Sequence, residues 1–131
     1  MSTLPVRVYF EDTDFTGRVY HGAYVRFLER GRTEHLRAAG IDHQMLASAA
    51  RPLYFTIRSM TLAFQGPALI DDLLTVDSVP VVAGRATFRF EQKILRGDDL
   101  LVRADVELCL IDGNGRPARP APQLLAALSA G

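Results

Sequence analysis

A single cysteine, Cys109, leaves no means of building an intrachain disulfide framework or a multi-cysteine metal site, and it fits a reducing compartment. Net charge is missing too. The 15 basic residues balance 15 acidic ones, so no overall field favours DNA, RNA or an anionic membrane as a partner. The start, Met1 to Val6, lacks the charged beginning and apolar run of a secretory signal, and no later stretch approaches the length of a membrane span. A cytoplasmic protein without a membrane segment is expected. What is present is ordinary for a soluble globular chain: 48% hydrophobic and 23% charged residues over 131 positions. That length suits one domain spanning 1–131, and no internal repeat or linker divides it.

Val6, Val8 and Phe10 alternate with Arg7, Tyr9 and Glu11, which predicts a short strand ending at Asp12, Thr13 and Asp14. After a loop through Gly17 the period changes. Tyr24, Phe27, Leu28, Gly31, His35 and Ala38 fall at steps of three and four, against a polar stripe of Arg26, Glu29, Arg30, Glu34 and Arg37. This predicts one long helix over about 21–39, with Gly40 supplying the left-handed residue that ends it. The rest reads as strands over 53–64, 73–82, 85–95 and 100–111, separated by turn chemistry at Gly66-Pro67, Gly84 and Gly97-Asp98.

In the last two strands Ala86, Phe88, Phe90, Gln92 and Ile94 share one side, as do Val102, Ala104, Val106, Leu108 and Leu110. A three-residue hairpin loop at Arg96, Gly97 and Asp98 sets Glu91 opposite Arg103 and Arg89 opposite Asp105, giving those charges a structural role. Pro117, Pro120 and Pro122 precede an apolar tail, Leu124 to Leu128, expected to form a helical turn or two. The fold class is therefore α+β, one long central helix wrapped by a five-stranded antiparallel sheet. The strand over 53–64 mixes Tyr54, Arg58, Met60 and Phe64 with Ile57 and Ala63, apolar on both sides, so a sheet face is left for a second copy to cover.

The segment from Glu11 to Tyr24 is the most informative, because it sets Glu11, Asp12, Asp14 and His21 between a strand end and a helix start. A helix N-terminus presents unpaired N–H groups and the positive end of the macrodipole, which stabilise a developing oxyanion. A carboxylate from the preceding loop can attack a carbonyl held there or activate a water against it. The plainer reading is that these acids cap the helix and its dipole. A metal site at the Asp12/Asp14 pair is disfavoured, since hard cations need more oxygen ligands than the segment supplies. His35 and His43 read as a helix-face packing residue and a loop residue.

The run Arg7-Val8-Tyr9-Phe10-Glu11-Asp12-Thr13-Asp14, then Gly17, Val19-Tyr20-His21, Tyr24 and Phe27-Leu28-Glu29-Arg30-Gly31-Arg32-Thr33-Glu34, resembles the signature of the YbgC-like thioesterases. These belong to the 4-hydroxybenzoyl-CoA thioesterase branch of the hotdog superfamily. Asp71-Asp72-Leu73-Leu74-Thr75-Val76 resembles the family's entry into its third strand, so the likeness runs from about Val6 to Pro120. It implies hydrolysis of an acyl-CoA without metal or redox cofactor, in a homodimer or homotetramer. By position it implies that Asp14 is the catalytic carboxylate and that His21 offers its backbone N–H to the thioester oxygen. Gly17, Val19, Tyr20 and Tyr24 then shape the substrate side, while Asp12 ties the loop together. Phe10 departs from the tyrosine of many relatives and removes a hydroxyl sometimes assigned to the site.

Phosphates of CoA need cationic donors, for which Arg58, Arg89 and Arg96 are candidates. Glu29 and Arg32 belong to the motif, although helix-face ion pairing accounts for Glu29 equally well. Three rival functions follow from the same resemblance. A hotdog hydratase needs an asparagine and a proline between its aspartate and histidine, which are lacking between Asp14 and His21. A binding or scaffolding protein of the Tol-Pal cell-envelope system, with which relatives are associated, needs no catalytic carboxylate. A hydroxynaphthoyl-CoA thioesterase shares the fold and the aspartate.

Overall fold

A helix with one apolar face needs a surface to bury it against, and the computed structural model, which describes residues 1–82 and 87–129, supplies a single sheet. The elements in order are β1 (Ser2–Arg7), a short 3-10 turn (Phe10–Asp12), α1 (His21–Ala38), α2 (His43–Ala47), β2 (Tyr54–Phe64), β3 (Leu73–Val82), β4 (Thr87–Arg96), β5 (Asp99–Ile111) and α3 (Pro122–Ser129). The five strands pair antiparallel in the order β1-β3-β4-β5-β2. The predicted turn at Gly84 and the expected strand start at Arg85 and Ala86 lie outside the described residues.

Helix α1 packs on β1, β3 and β4. Its buried residues Ala23, Tyr24, Phe27, Leu28 and Leu36 meet Leu74, Val76, Phe88, Phe90 and Ile94 from the sheet. Each large side chain removed from water in this way contributes about 1.5–3 kcal/mol. Gly31 lies at the closest approach: a Cβ there would stand 2.7 Å from Val76 Cγ1 and 2.8 Å from Ser78 Oγ. The space is spanned by polar bonds. Gln92 donates through Nε2 to the Leu28 carbonyl and to Ser78 Oγ, both at 2.9 Å, and Arg32 Nη1 donates to Gln92 Oε1 at 3.1 Å. Because all three side chains are buried, these bonds fix where the helix sits on the sheet. His35 is buried one turn further on, its Nδ1 paired with Ser2 Oγ, and burial holds its pKa below the ordinary histidine value.

Four local expectations differ from the structure. The strand expected to reach Glu11 begins earlier and stops at Arg7, and Phe10 turns away into the 3-10 segment, where it is exposed. The turn is closed by the Asp12 carboxylate, which accepts the Tyr9 N–H at 2.9 Å. The β4–β5 hairpin closes tighter than a three-residue loop: Arg96 faces Asp99 across Gly97-Asp98, with Gly97 at φ +60°. Leu101 then bulges, so that Ile94 meets Val102. Glu91 therefore faces Asp105, not Arg103, and Arg89 faces Glu107. Arg89 nonetheless keeps Asp105 as a diagonal partner at 3.8 Å and Glu91 at 2.6 Å.

The third difference concerns β2, whose apolar residues are less evenly divided than expected. Ile57, Met60, Leu62 and Phe64 pair with the inward residues Leu108, Val106, Ala104 and Val102, and so lie on the helix side of the sheet. At this edge Ile57 and Phe64 stay 42% and 54% exposed. The opposite face carries Asp77, Arg89, Glu91, Lys93, Arg103, Asp105 and Glu107, so among the described residues that face is predominantly charged. The last difference is His43, which opens α2, a helix capped by the Asp42 carboxylate accepting from Met45 N–H at 2.7 Å.

Candidate active site

The loop from Asp12 to Tyr20 is held at both ends before any chemistry is considered. The Asp12 carbonyl accepts the Tyr20 N–H at 2.8 Å, and its buried carboxylate lies 4.0 Å from Arg26. Within the loop, Asp14 N–H donates to the Arg18 carbonyl at 2.9 Å and Gly17 N–H to the Asp14 carbonyl at 3.0 Å. Gly17 adopts φ +81°, a left-handed conformation that glycine takes without steric cost. Outside the loop, the turn before β3 acts as its backing. Val19 N–H donates to the Ala68 carbonyl at 2.9 Å, and Ala68 N–H donates to the Tyr24 hydroxyl at 3.2 Å. Asp72 closes that turn by accepting from Leu69 N–H and Arg96 Nη1, both at 2.9 Å.

Asp14, Thr16, Arg18, Val19, His21 and Tyr24 line one open cleft, whose other wall is Phe64, Gln65, Gly66 and Pro67. The Asp14 carboxylate is exposed to it. Hydrogen bonds from the Thr16 hydroxyl and Thr16 N–H, aided by Arg18 and His21, hold its pKa below the ordinary aspartate value. It is thus ionised at neutral pH. His21 is the first residue of α1, and Tyr20 before it supplies no side-chain cap. Among the described residues neither His21 N–H nor Gly22 N–H donates to a protein acceptor, so the start of the helix faces the cleft with free donors.

Of the residues singled out in the sequence, Asp14, Val19, His21 and Tyr24 are brought together in the cleft, whereas Gly17 and Tyr20 are not part of its wall. Gly17 shapes the loop, and the Tyr20 ring packs tilted against the His21 ring with centroids 4.4 Å apart. Tyr24 is buried, and desolvation raises its pKa. Thr16, Arg18 and the Phe64–Pro67 wall were not singled out for the site. Thr16 sits inside the motif, two residues after an aspartate, a spacing that favours a side-chain turn. The wall comes from a long-range contact that no local pattern encodes.

The Asp12 and Asp14 carboxylates do not converge: one is turned to Tyr9 N–H and Arg26, the other to Thr16. Among the described residues no group of three histidines, cysteines or acids is arranged to hold a metal ion. Of the candidate phosphate donors, Arg89 is engaged by Glu91 and Asp105, and Arg96 by Asp72 and Asp99. Arg58, at the irregularity of β2 between Ile57 and Ser59, has no ion pair among the described residues. Among those residues no helix is long and apolar enough to cross a membrane.

The five-stranded antiparallel sheet packed on one long helix is a hotdog fold, with an acidic loop at the helix start. The thioesterase superfamily model matches residues 16–103. The acyl-CoA thioesterase YbgC of Haemophilus influenzae is 38% identical over 84% of this chain and 80% of its own length. The acyl-CoA thioester hydrolase YbgC of Escherichia coli is 37% identical over 94% of this chain and 91% of its own. A crystal structure of a probable thioesterase from Bartonella henselae superposes with a TM-score of 0.89 at 43% identity, covering 92% of this chain and 98% of that one. The chain belongs to the thioesterase superfamily and, within it, to the YbgC group.

Proposed function

We propose that this thioesterase hydrolyses acyl-CoA thioesters in the cleft at the start of α1, with Asp14 as the reacting carboxylate and the His21 backbone N–H as oxyanion donor. The observation that carries the reading is the meeting, in one cleft, of an ionised carboxylate and an uncapped helix N-terminus. The thioester carbonyl oxygen rests on the His21 N–H, where charge developing on it is stabilised. Asp14 supplies an electron pair, either to the carbonyl carbon itself or by taking a proton from the attacking water. Collapse of the tetrahedral adduct breaks the C–S bond: in the water route the leaving sulfur takes the proton that Asp14 accepted, and in the direct route CoA leaves as a thiolate that solvent protonates. In the direct route a water then opens the anhydride and restores the carboxylate. Val19 and Tyr24 line the substrate side, and Gly17 and Tyr20 shape the loop and helix start around it. No cofactor takes part in this reading.

A panel of short, long and aromatic acyl-CoAs, followed by thiol release, tests it. Multiple turnover is expected on at least one class, and no turnover on any class, with binding retained, would replace the enzyme by an acyl-thioester binding protein. Cys109 is buried, and a substrate-free control removes its contribution to the thiol signal. The single cysteine supports a cytoplasmic site of action.

The reading includes a second copy of the chain against the β2 edge. Support comes from Ile57 and Phe64, apolar residues left open on the edge strand β2, with Phe64 packed beside Tyr24 and on the cleft wall. A homodimer, or two such dimers paired, is expected by light scattering. A monomer that keeps full activity at assay concentration would contradict it.

A further inference from the structure

We infer that Thr16 is a positioning residue for hydrolysis, its hydroxyl holding one oxygen of the Asp14 carboxylate so that the other is presented to the substrate. The inference rests on the reading of Asp14 as the reacting group. The Asp14 Oδ1 atom accepts two hydrogen bonds from the same residue, from Thr16 N–H at 2.8 Å and from Thr16 Oγ1 at 2.6 Å. Among the described residues Oδ2 accepts none. The two oxygens of a symmetric anion have thereby become different: one is fixed and partly neutralised, the other keeps its lone pairs free in the cleft. Thr16 is itself oriented, because its Oγ1 accepts the Arg18 N–H at 3.3 Å, which directs the hydroxyl proton toward Asp14. The chain from Arg18 N–H through the Thr16 hydroxyl to Asp14 runs across the turn that Gly17 makes possible.

A carboxylate on an exposed loop otherwise rotates about its side-chain torsions, and a reacting group displaced from its working geometry loses much of its advantage. The Thr16 hydroxyl, added to the bond from Thr16 N–H, restricts that freedom. It also has an electrostatic effect, since a donor to the ionised form disfavours protonation, and it is the largest of the influences that lower the Asp14 pKa. The hydroxyl therefore favours the charged form of the carboxylate while leaving its other oxygen without a bond among the described residues.

The experiment compares Thr16→Val and Thr16→Ser with the wild-type chain on the best acyl-CoA, with pH profiles of kcat/KM. Valine keeps the β-branched shape and the backbone N–H but lacks the hydroxyl. It is expected to lower kcat by about tenfold, with KM little changed and the acidic limb of the profile moved to higher pH. Serine is expected to restore both. Wild-type kcat and an unmoved acidic limb in Thr16→Val would overturn the inference, as would equal losses in both variants, which would assign the effect to shape. Asp14→Asn, measured in parallel, separates the two levels. Loss of turnover there with a normal Thr16→Val removes this inference alone, whereas retained turnover in Asp14→Asn removes the underlying assignment and this one together.

Discussion

Asp14→Asn is expected to fold normally and to hydrolyse the best acyl-CoA about two or more orders of magnitude more slowly than the wild-type chain. The two halves of this expectation have separate causes. Asparagine keeps an oxygen where Oδ1 sits, so the bonds from Thr16 N–H and Oγ1 have an acceptor and the loop retains its shape. The carboxylate is exposed, so its charge is not needed to complete any buried network. Chemistry is another matter, since an amide neither takes a proton from water near neutral pH nor attacks a thioester. His21→Ala provides the contrast. The group assigned to the thioester oxygen is a backbone N–H, which alanine retains, so turnover should fall only in part. Steady-state kinetics with circular dichroism checks both, and near-normal turnover in a folded Asp14→Asn would remove this residue from the chemical step.

Gly31→Val is expected to destabilise the fold by about 3 kcal/mol or more. A Cβ at this position falls 2.7 Å from Val76 Cγ1, 2.8 Å from Ser78 Oγ and 3.2 Å from Gln92 Nε2. Valine adds two methyl groups beyond it, and relief requires lifting α1 from β3 or turning Val76, Ser78 and Gln92 out of their places in the buried network. Lifting the helix draws Leu28 away from Gln92 and strains the Arg32 bond, leaving buried polar groups without partners. The better helix propensity of valine over glycine returns only a few tenths of a kcal/mol against this. Urea unfolding reads the effect as a lower midpoint at unchanged slope. A midpoint within error of wild type would show that the helix is not seated where the structure places it.

The sequence patterns conveyed the architecture wherever one period ran long enough. Tyr24, Phe27, Leu28, Gly31 and His35 marked the buried face of α1, and the strand alternation placed Phe88, Phe90, Val102 and Val106 on the helix side. They did not convey what depends on a single turn. A hairpin loop shorter by one residue and a bulge at Leu101 changed every cross-strand partner of β4 and β5 while leaving each side chain on its expected face. Phe10 continued the alternation of Val6 and Val8, but the Asp12 carboxylate reached back to Tyr9 N–H and ended the strand. At the site, local spacing set Asp14 and His21 near one helix start, and the structure has them on one cleft. The opposite wall is formed by residues 64–67, some forty positions later in the chain, and no short pattern announces it. Gly31 was legible as part of the buried stripe, but the reason for glycine appears only when Val76 and Ser78 are seen beneath it.

Within the acidic loop the two aspartates have opposite surroundings. Asp12 is buried and spends its carboxylate on Tyr9 N–H, while Asp14 is exposed to the cleft with one oxygen that accepts no bond among the described residues. The measurement that tests the account most directly is therefore CoA thiol release by Asp12→Asn and Asp14→Asn side by side, under saturating acyl-CoA, with each variant's fold confirmed. The account predicts that Asp14→Asn loses at least about a hundredfold in kcat while folded Asp12→Asn loses much less. Greater damage from Asp12→Asn, with Asp14→Asn still turning over, would contradict it.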